Sequence, residues 1–258
     1  MTLYYCGIYH HYIYTNMLSK EYKPLYFIDL VILAAILFHA PIISSFYYFS
    51  ELQQAGLVAP ENLEFSETDN YSSILLEVSS LFLALVYLLL RKFQFTQLPF
   101  TFNKNTLLIT LALILLSGTI CHLIAYTFSP EILTEPTVTD STFFESAIPT
   151  ETESENLWGY FSLSLILFAL LNGFYEEIFF LGLTFCIEKK WLPYALIFAL
   201  IVRFAFHTYQ GLFSATIVSI FGVLLTLLRF KIRNLVPFML AHSFFDVFGL
   251  GLPLWLFE

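Results

Sequence analysis

The chain has 258 residues, of which 58% are hydrophobic, 19% aromatic and only 12% charged. Soluble domains carry about 25% charged residues, so this chain has too few charges to cover the surface of a soluble globule. Its net charge of −9 excludes a nucleic-acid-binding protein, because such proteins neutralise phosphates with basic side chains. The three cysteines form no CxxC pair, which argues against a cysteine-ligated zinc site. Membrane lipid is therefore the expected solvent and partner of this chain.

Seven apolar runs are candidate transmembrane helices, each of which needs roughly 20 residues. In chain order they cover 26–48, 72–90, 106–128, 157–187, 191–208, 212–229 and 234–257. The sequence therefore predicts an all-α, polytopic transmembrane helix bundle with about seven spans. Residues 1–25 precede the first run and are rich in tyrosine, a side chain suited to the headgroup layer. We expect them to form an interfacial N-terminal leader.

The charged residues between the runs indicate how the chain is oriented. All but one of the 11 basic residues lie before the first run, at the end of the sixth run, or in the connections after the second, fourth and sixth runs. The connections 50–71 and 129–156 contain acidic charges and no basic residue. Under the positive-inside rule we expect a cytoplasmic N-terminus, two acidic outer loops and a C-terminus outside. We predict a multi-pass protein of the bacterial plasma membrane.

Ionisable residues inside the apolar runs divide the chain into two parts. Residues 26–156 are predicted to hold the N-terminal transmembrane helices and both acidic loops. Residues 157–257 contain a denser set of buried polar groups on three runs: Glu176, Glu177, Arg203, His207, His242 and Asp246. An unpaired ionisable group inside the hydrocarbon is costly, so we expect these side chains to contact one another.

Helical geometry supports such a meeting. At 1.5 Å per residue the polar groups of the three runs all fall at middle depth in the membrane. His242 and Asp246 are four residues apart and share a helix face, as do the arginine and histidine of the fifth run. Glu176 and Glu177 point about 100° apart on a helix. One of the two should face a cavity, and the other should be held by a partner.

These three elements resemble the CPBP family, also called Abi or CAAX-protease-type intramembrane proteases. The family pattern is EExxxR on one helix, FxxxH on the next, and HxxxN or HxxxD on a later one. The chain has Glu176-Glu177-Ile-Phe-Phe-Leu181, Arg203-Phe-Ala-Phe-His207 and His242-Ser-Phe-Phe-Asp246. The resemblance covers about residues 157–250. It implies a CPBP-type catalytic core at 157–257 and a membrane-embedded endopeptidase, with a peptide or lipidated protein as substrate.

Two positions depart from the family pattern. Leu181 stands where the family has arginine, and Arg203 stands where it has phenylalanine. We predict that the two changes compensate, so that Arg203 holds Glu177 from the neighbouring helix. The alternative is a degenerate, non-catalytic member of the family that acts as a bacteriocin-immunity or membrane scaffolding protein.

The resemblance also implies a role for each residue of the catalytic core. Glu176 would be the general base, and His207 would help to position and activate the same water. His242 and Asp246 would stabilise the oxyanion, with Glu177 and Arg203 in supporting positions. An aspartate can donate to an oxyanion only when it is protonated; otherwise Asp246 would orient His242.

A divalent metal is the open alternative to this glutamate mechanism. Two histidines and two carboxylates are a plausible ligand set for a zinc-like ion, and the candidates are Glu176, His207, His242 and Asp246. The sequence contains no HExxH motif, and the ligands would come from three helices. The preferred interpretation requires no cofactor, but spacing alone leaves both a glutamate protease and a metalloprotease open.

Overall fold

The computed structural model describes residues 24–55, 66–128 and 162–250. Within these ranges the fold contains seven α-helices and no strand. They are α1 (Phe27–Ala55), α2 (Glu67–Leu90), α3 (Lys104–Phe128), α4 (Leu163–Glu177), α5 (Leu192–Phe206), α6 (Leu212–Arg229) and α7 (Val236–Phe248). The predicted all-α class is confirmed.

The helices differ in length, and the prediction of about seven spans needs refinement. Five helical segments are long and apolar enough to cross a membrane, namely Phe27–Gln54, Glu67–Leu90, Lys104–Phe128, Leu163–Cys186 and Leu212–Arg229. Helices α5 and α7 have 15 and 13 residues. At 1.5 Å per residue they are about 20 Å long, which is shorter than the roughly 30 Å of hydrocarbon. The bundle is therefore a helical membrane bundle in which two helices are short.

The ends of α1 and α2 shorten the first predicted loop. Helix α1 continues to Ala55 and α2 begins at Glu67, so both helices extend into the stretch 50–71. The start of α2 is set by a capping box: the Ser66 hydroxyl accepts from the Asp69 N–H at 3.2 Å, and the Asp69 carboxylate accepts from the Ser66 N–H at 3.1 Å. The apolar pattern missed these turns because their side chains are polar.

The N-terminal leader is described only at its end. Leu25 is 2% exposed, and its N–H donates to the Cys186 carbonyl at 2.9 Å. The end of the predicted leader therefore packs inside the bundle. Residues 1–23, the acidic loop 129–156 and the end of the seventh run at 251–257 lie outside the described residues.

The outer faces of the N-terminal helices are strongly apolar. Large apolar side chains that are more than half exposed occur on all three of these helices, among them Ile28, Phe46, Leu75, Phe82, Leu90, Leu108 and Phe128. A water-soluble monomer rarely exposes apolar surface on this scale. Such faces fit a lipid environment, because apolar side chains in contact with lipid carry no cost of exposure to water.

The interior is built around aromatic rings and one close helix contact. The Phe38 ring of α1 lies 5.4 Å from Tyr175 and 5.1 Å from Phe179, measured between centroids. Helices α4 and α7 approach at Gly173, where an added Cβ would lie 2.6 Å from the Met239 carbonyl oxygen. This small residue lets the backbones of α4 and α7 come together, and the contact brings the polar groups of both helices to one place.

Candidate active site

The two adjacent glutamates lie at the end of the regular part of α4. Helix α4 ends at Glu177, and a π-helical turn (Ile178–Gly182) and a 3₁₀ turn (Leu183–Cys186) follow it. Short π-helical turns occur frequently at functional sites. Arg229 satisfies one of the carbonyls in this segment, because its Nε donates to the Leu181 carbonyl at 2.9 Å. The irregular segment is therefore hydrogen-bonded to α6.

Glu177 is held by an arginine from the neighbouring helix. The Arg203 Nη2 donates to the Glu177 Oε1 at 2.7 Å, and the two side chains are 1% and 0% exposed. The guanidinium also lies 4.1 Å above the Phe180 ring, and the absence of a side chain at Gly222 leaves room for it. The contact between Arg203 and Glu177 that the sequence predicted is therefore present.

His242 connects both glutamates with Asp246. Its Nδ1 lies 2.6 Å from the Glu177 Oε1, and because a carboxylate only accepts, this nitrogen carries the hydrogen and donates. Its Nε2 lies 3.6 Å from the Glu176 Oε1 and 3.4 Å from the Asp246 Oδ1. The structure therefore brings together four of the six predicted residues: the carboxylates of Glu176, Glu177 and Asp246 surround the imidazole ring of His242.

Asn172 is a further member of the site that the sequence analysis missed. Its Nδ2 donates to the Glu176 Oε1 at 3.1 Å and to the Asp246 Oδ2 at 3.0 Å. It lies one helical turn before Glu176, so the two side chains share a face of α4. In the sequence, an amide four residues before a carboxylate in an apolar helix is the pattern that could have identified Asn172.

The two oxygens of Glu176 have different surroundings. The side chain is 2% exposed, and its Oε1 accepts from Asn172. Its Oε2 has no hydrogen-bond partner within the described part of the chain. A buried polar atom without a partner is uncommon in a folded protein. This oxygen is therefore available to a group that enters the site.

His207 is oriented by the backbone and held in place by α1. Its Nδ1 donates to the Arg203 carbonyl at 2.9 Å, which leaves Nε2 as the free nitrogen. In the turn that follows, the Tyr209 N–H donates to the Ser45 hydroxyl of α1 at 2.8 Å, and the Tyr209 ring stacks beside His207 with centroids 6.4 Å apart. His207 interacts electrostatically with His242 and Glu177, but within the described residues no hydrogen bond joins it to either glutamate.

A carboxylate from the N-terminal half also faces the site. Glu77 of α2 is 7% exposed and interacts electrostatically with Glu176 and Asp246. From the sequence, a carboxylate this close to the end of an apolar run is expected to reach the membrane interface. Only the packing of α2 against α4 places it inside.

Within the described residues, the group of side chains that could hold a metal ion differs from the predicted set. Glu176, Glu177 and His242 have ligand atoms within 4.8 Å of one another, whereas the predicted set contained His207 and Asp246 instead of Glu177. The Glu177 Oε1 already accepts from His242 and from the Arg203 guanidinium. A divalent cation at that oxygen would be repelled by the guanidinium, whereas the Glu176 Oε2 and the Glu177 Oε2 have no hydrogen-bond partner within the described residues.

The family comparison covers the same part of the chain. Residues 158–248 match the family model described as type II CAAX prenyl endopeptidase, Rce1-like. No curated protein and no solved structure matches the chain. The matched segment contains all six predicted site residues, on helices α4, α5 and α7 and, for His207, directly after the end of α5. Over these residues, well under half of the chain, this membrane protein is similar to type II CAAX prenyl endopeptidases.

Proposed function

We propose that the protein is an intramembrane endopeptidase that hydrolyses a peptide bond of a membrane-associated peptide or lipidated protein. The observation that carries this proposal is the buried, unpartnered Glu176 Oε2 on a carboxylate whose other oxygen is already held by Asn172. A general base needs one fixed orientation and one free lone pair close to the proton that it removes. Glu176 meets both requirements.

The proposed reaction uses one water molecule and no covalent intermediate. Glu176 takes a proton from the water, and the resulting hydroxide attacks the scissile carbonyl carbon, whose π electrons move to the oxygen. Glu176 then returns the proton to the nitrogen of the leaving amine as the C–N bond breaks. His207 helps to orient the water through its free Nε2, because its Nδ1 is engaged with the Arg203 carbonyl.

The remaining residues support this chemistry. The His242 Nε2 lies on the side of Glu176 and Asp246, where a protonated nitrogen could donate to the oxyanion. Glu177 accepts from the His242 Nδ1 at 2.6 Å and so fixes the orientation of the ring. Arg203 balances the charge of Glu177 at 2.7 Å. We therefore place Glu177 and Arg203 as positioning residues.

The glutamate mechanism is our preferred form of this proposal, with no resident metal ion. It is supported by the Arg203 guanidinium, which donates to the Glu177 Oε1 and would repel a cation bound at that oxygen. We further propose a bacterial plasma membrane with the N-terminus in the cytoplasm and the C-terminus outside, on the distribution of basic residues. The alternative immunity or scaffolding function has no support in the site or in the family match.

The proposal is tested with the full chain in proteoliposomes and an internally quenched, farnesylated CAAX peptide. We expect the wild type to cleave the peptide and Glu176→Gln to lose cleavage by at least about 1,000-fold, since the base is essential. Glu67→Gln, on the exposed first turn of α2, is the matched control and should cleave normally. Equal cleavage by wild type and Glu176→Gln would overturn the proposal.

A second experiment addresses the natural substrate. Membrane fractions of cells that carry the wild type or Glu176→Gln are compared by proteomics, and peptides that lose their C-terminal residues only with the wild type are sought. An immunity phenotype that survives Glu176→Gln at an unchanged protein level would favour the non-catalytic alternative.

A further inference from the structure

Asn172 bridges the two carboxylates that face each other across the contact between α4 and α7. Its Nδ2 donates to the Glu176 Oε1 at 3.1 Å and to the Asp246 Oδ2 at 3.0 Å. The bridge lies one residue from Gly173, where the two helices approach too closely to leave room for a Cβ. The position of the amide is therefore defined by two helices at once.

The Asn172 amide supplies a hydrogen-bond donor next to two side chains that act as acceptors. Ionised Glu176 and Asp246 can only accept hydrogen bonds. The Asn172 NH₂ group carries two hydrogens, and each bonds to one of these carboxylates. It can donate without a change of its own protonation state. An oxyanion site requires such a preorganised donor.

We propose that Asn172 is a catalytic residue that donates a hydrogen bond to the oxyanion formed at the scissile carbonyl, while Asp246 holds the second hydrogen of its amide. This inference deepens the proposed function and rests on it. Asp246 then acts as a positioning residue for Asn172 rather than as an oxyanion donor.

The movement of charge during the reaction explains why the hydrogen bond changes partner. When Glu176 accepts the proton of the water, its carboxylate becomes neutral and weakens as an acceptor. The attack of hydroxide creates a full negative charge on the former carbonyl oxygen at the same time. Hydrogen bonds to ionised acceptors are the stronger ones, so the hydrogen that bonded to Glu176 moves to the oxyanion. When the C–N bond breaks and Glu176 gives up its proton, the original bond is restored.

The test uses the full chain in proteoliposomes with the quenched, farnesylated CAAX peptide. Asn172→Leu removes the amide and keeps a side chain of similar size. We expect its kcat to fall about 100- to 1,000-fold, the effect of losing one oxyanion donor, while KM stays within threefold. Asn70→Leu is the matched control, because the Asn70 amide also bonds between two helices, to the Ser164 hydroxyl at 3.2 Å. It should lower thermal stability and leave kcat within threefold of wild type.

A reciprocal exchange separates a role in catalysis from a role in packing. Asn172→Asp places a carboxylate beside Glu176 and Asp246 and should lose activity. Adding Asp246→Asn to that variant restores one amide and one carboxylate at the bridge. We expect the double variant to have a kcat at least tenfold above that of Asn172→Asp, a coupling that independent sites do not show.

Two outcomes would overturn the inference while leaving the proposed function intact. One is Asn172→Leu with a wild-type kcat in a preparation where Glu176→Gln is inactive. The other is a loss of kcat in Asn70→Leu equal to that in Asn172→Leu, which would mean that helix packing alone explains both.

Discussion

Arg203 on α5 donates a 2.7 Å hydrogen bond to Glu177 on α4, and both side chains are almost completely buried. In lipid, neither charge has water as an alternative partner, so each depends on the other. The Glu177 Oε1 that receives Arg203 also receives the His242 Nδ1. One arginine therefore controls the orientation of a glutamate and, through it, of a histidine on a third helix.

Removing the Arg203 guanidinium should lower both the stability of the protein and its cleavage activity. Arg203→Ala leaves the Glu177 charge buried without its partner, which costs about 3–5 kcal/mol. We expect loss of both folding in detergent and peptide cleavage, measured by thermal unfolding and by the proteoliposome assay. Arg91→Ala is the comparison variant. Arg91 pairs with Asp29 of α1 at 2.7 Å, but its side chain is 36% exposed, so we expect a smaller loss of stability.

Exchanging the two unusual positions tests whether they compensate for each other. Leu181→Arg combined with Arg203→Phe moves the arginine to the place where the family has it. We expect this double variant to retain fold and cleavage, because Glu177 would again have a guanidinium partner. Full activity of Arg203→Ala alone, or inactivity of the double variant at normal stability, would contradict the compensation.

The close contact at Gly173 should be intolerant of even one methyl group. In Gly173→Ala the new Cβ would lie 2.6 Å from the Met239 carbonyl oxygen and 2.9 Å from the Ser243 nitrogen, so α4 and α7 must move apart. We expect a loss of about 1–3 kcal/mol of stability, and a larger loss of cleavage because His242 moves away from Glu177. At Gly182 a Cβ would meet a leucine methyl group at 3.1 Å, so Gly182→Ala should be milder.

Ser45 should matter to catalysis although it belongs to α1, outside the matched family segment. Its hydroxyl accepts from the Tyr209 N–H and lies 3.0 Å from the Thr208 hydroxyl, so it fixes the turn directly after His207. We expect Ser45→Ala to lose about 1–3 kcal/mol of stability. Its kcat should fall by up to about 100-fold, because a small displacement of His207 disturbs the reaction geometry.

The control for Ser45 is a serine whose hydroxyl bonds within its own helix. Ser79 donates to the Leu75 carbonyl and is exposed, so Ser79→Ala should leave stability and kcat unchanged. A Ser45→Ala variant with wild-type kcat would show that the turn holds His207 without α1.

Removal of metal ions should leave cleavage unchanged. The charge of Arg203 beside Glu177 disfavours a divalent ion held by Glu176, Glu177 and His242. We expect full activity after dialysis against a chelator, and less than stoichiometric zinc in the purified protein by elemental analysis. Loss of cleavage that added zinc restores, but magnesium does not, would replace the glutamate mechanism with a metal-dependent one.

Most of the side chains that meet at the candidate site were predictable from residue type and spacing. Charged and imidazole side chains in apolar helices are costly unless they meet, so Glu176, Arg203 and His242 indicated a common site before any contact was known. The partner of Glu177 was also predictable, because Arg203 is the basic residue in the middle of an apolar run. Asn172 and Ser45 were not, since a neutral amide or hydroxyl in a membrane helix has many uses.

The sequence by itself determined the solvent, the helical class and the set of residues that must pair, because apolar length and the cost of buried charge are properties of the chain alone. Tertiary structure decided which oxygen of Glu176 is free, that α5 and α7 are short, and that α1 and α2 bring Ser45 and Glu77 to the site. These features depend on contacts between helices far apart in the chain. Close approach at residues such as Gly173 sets those contacts, and no local pattern encodes them.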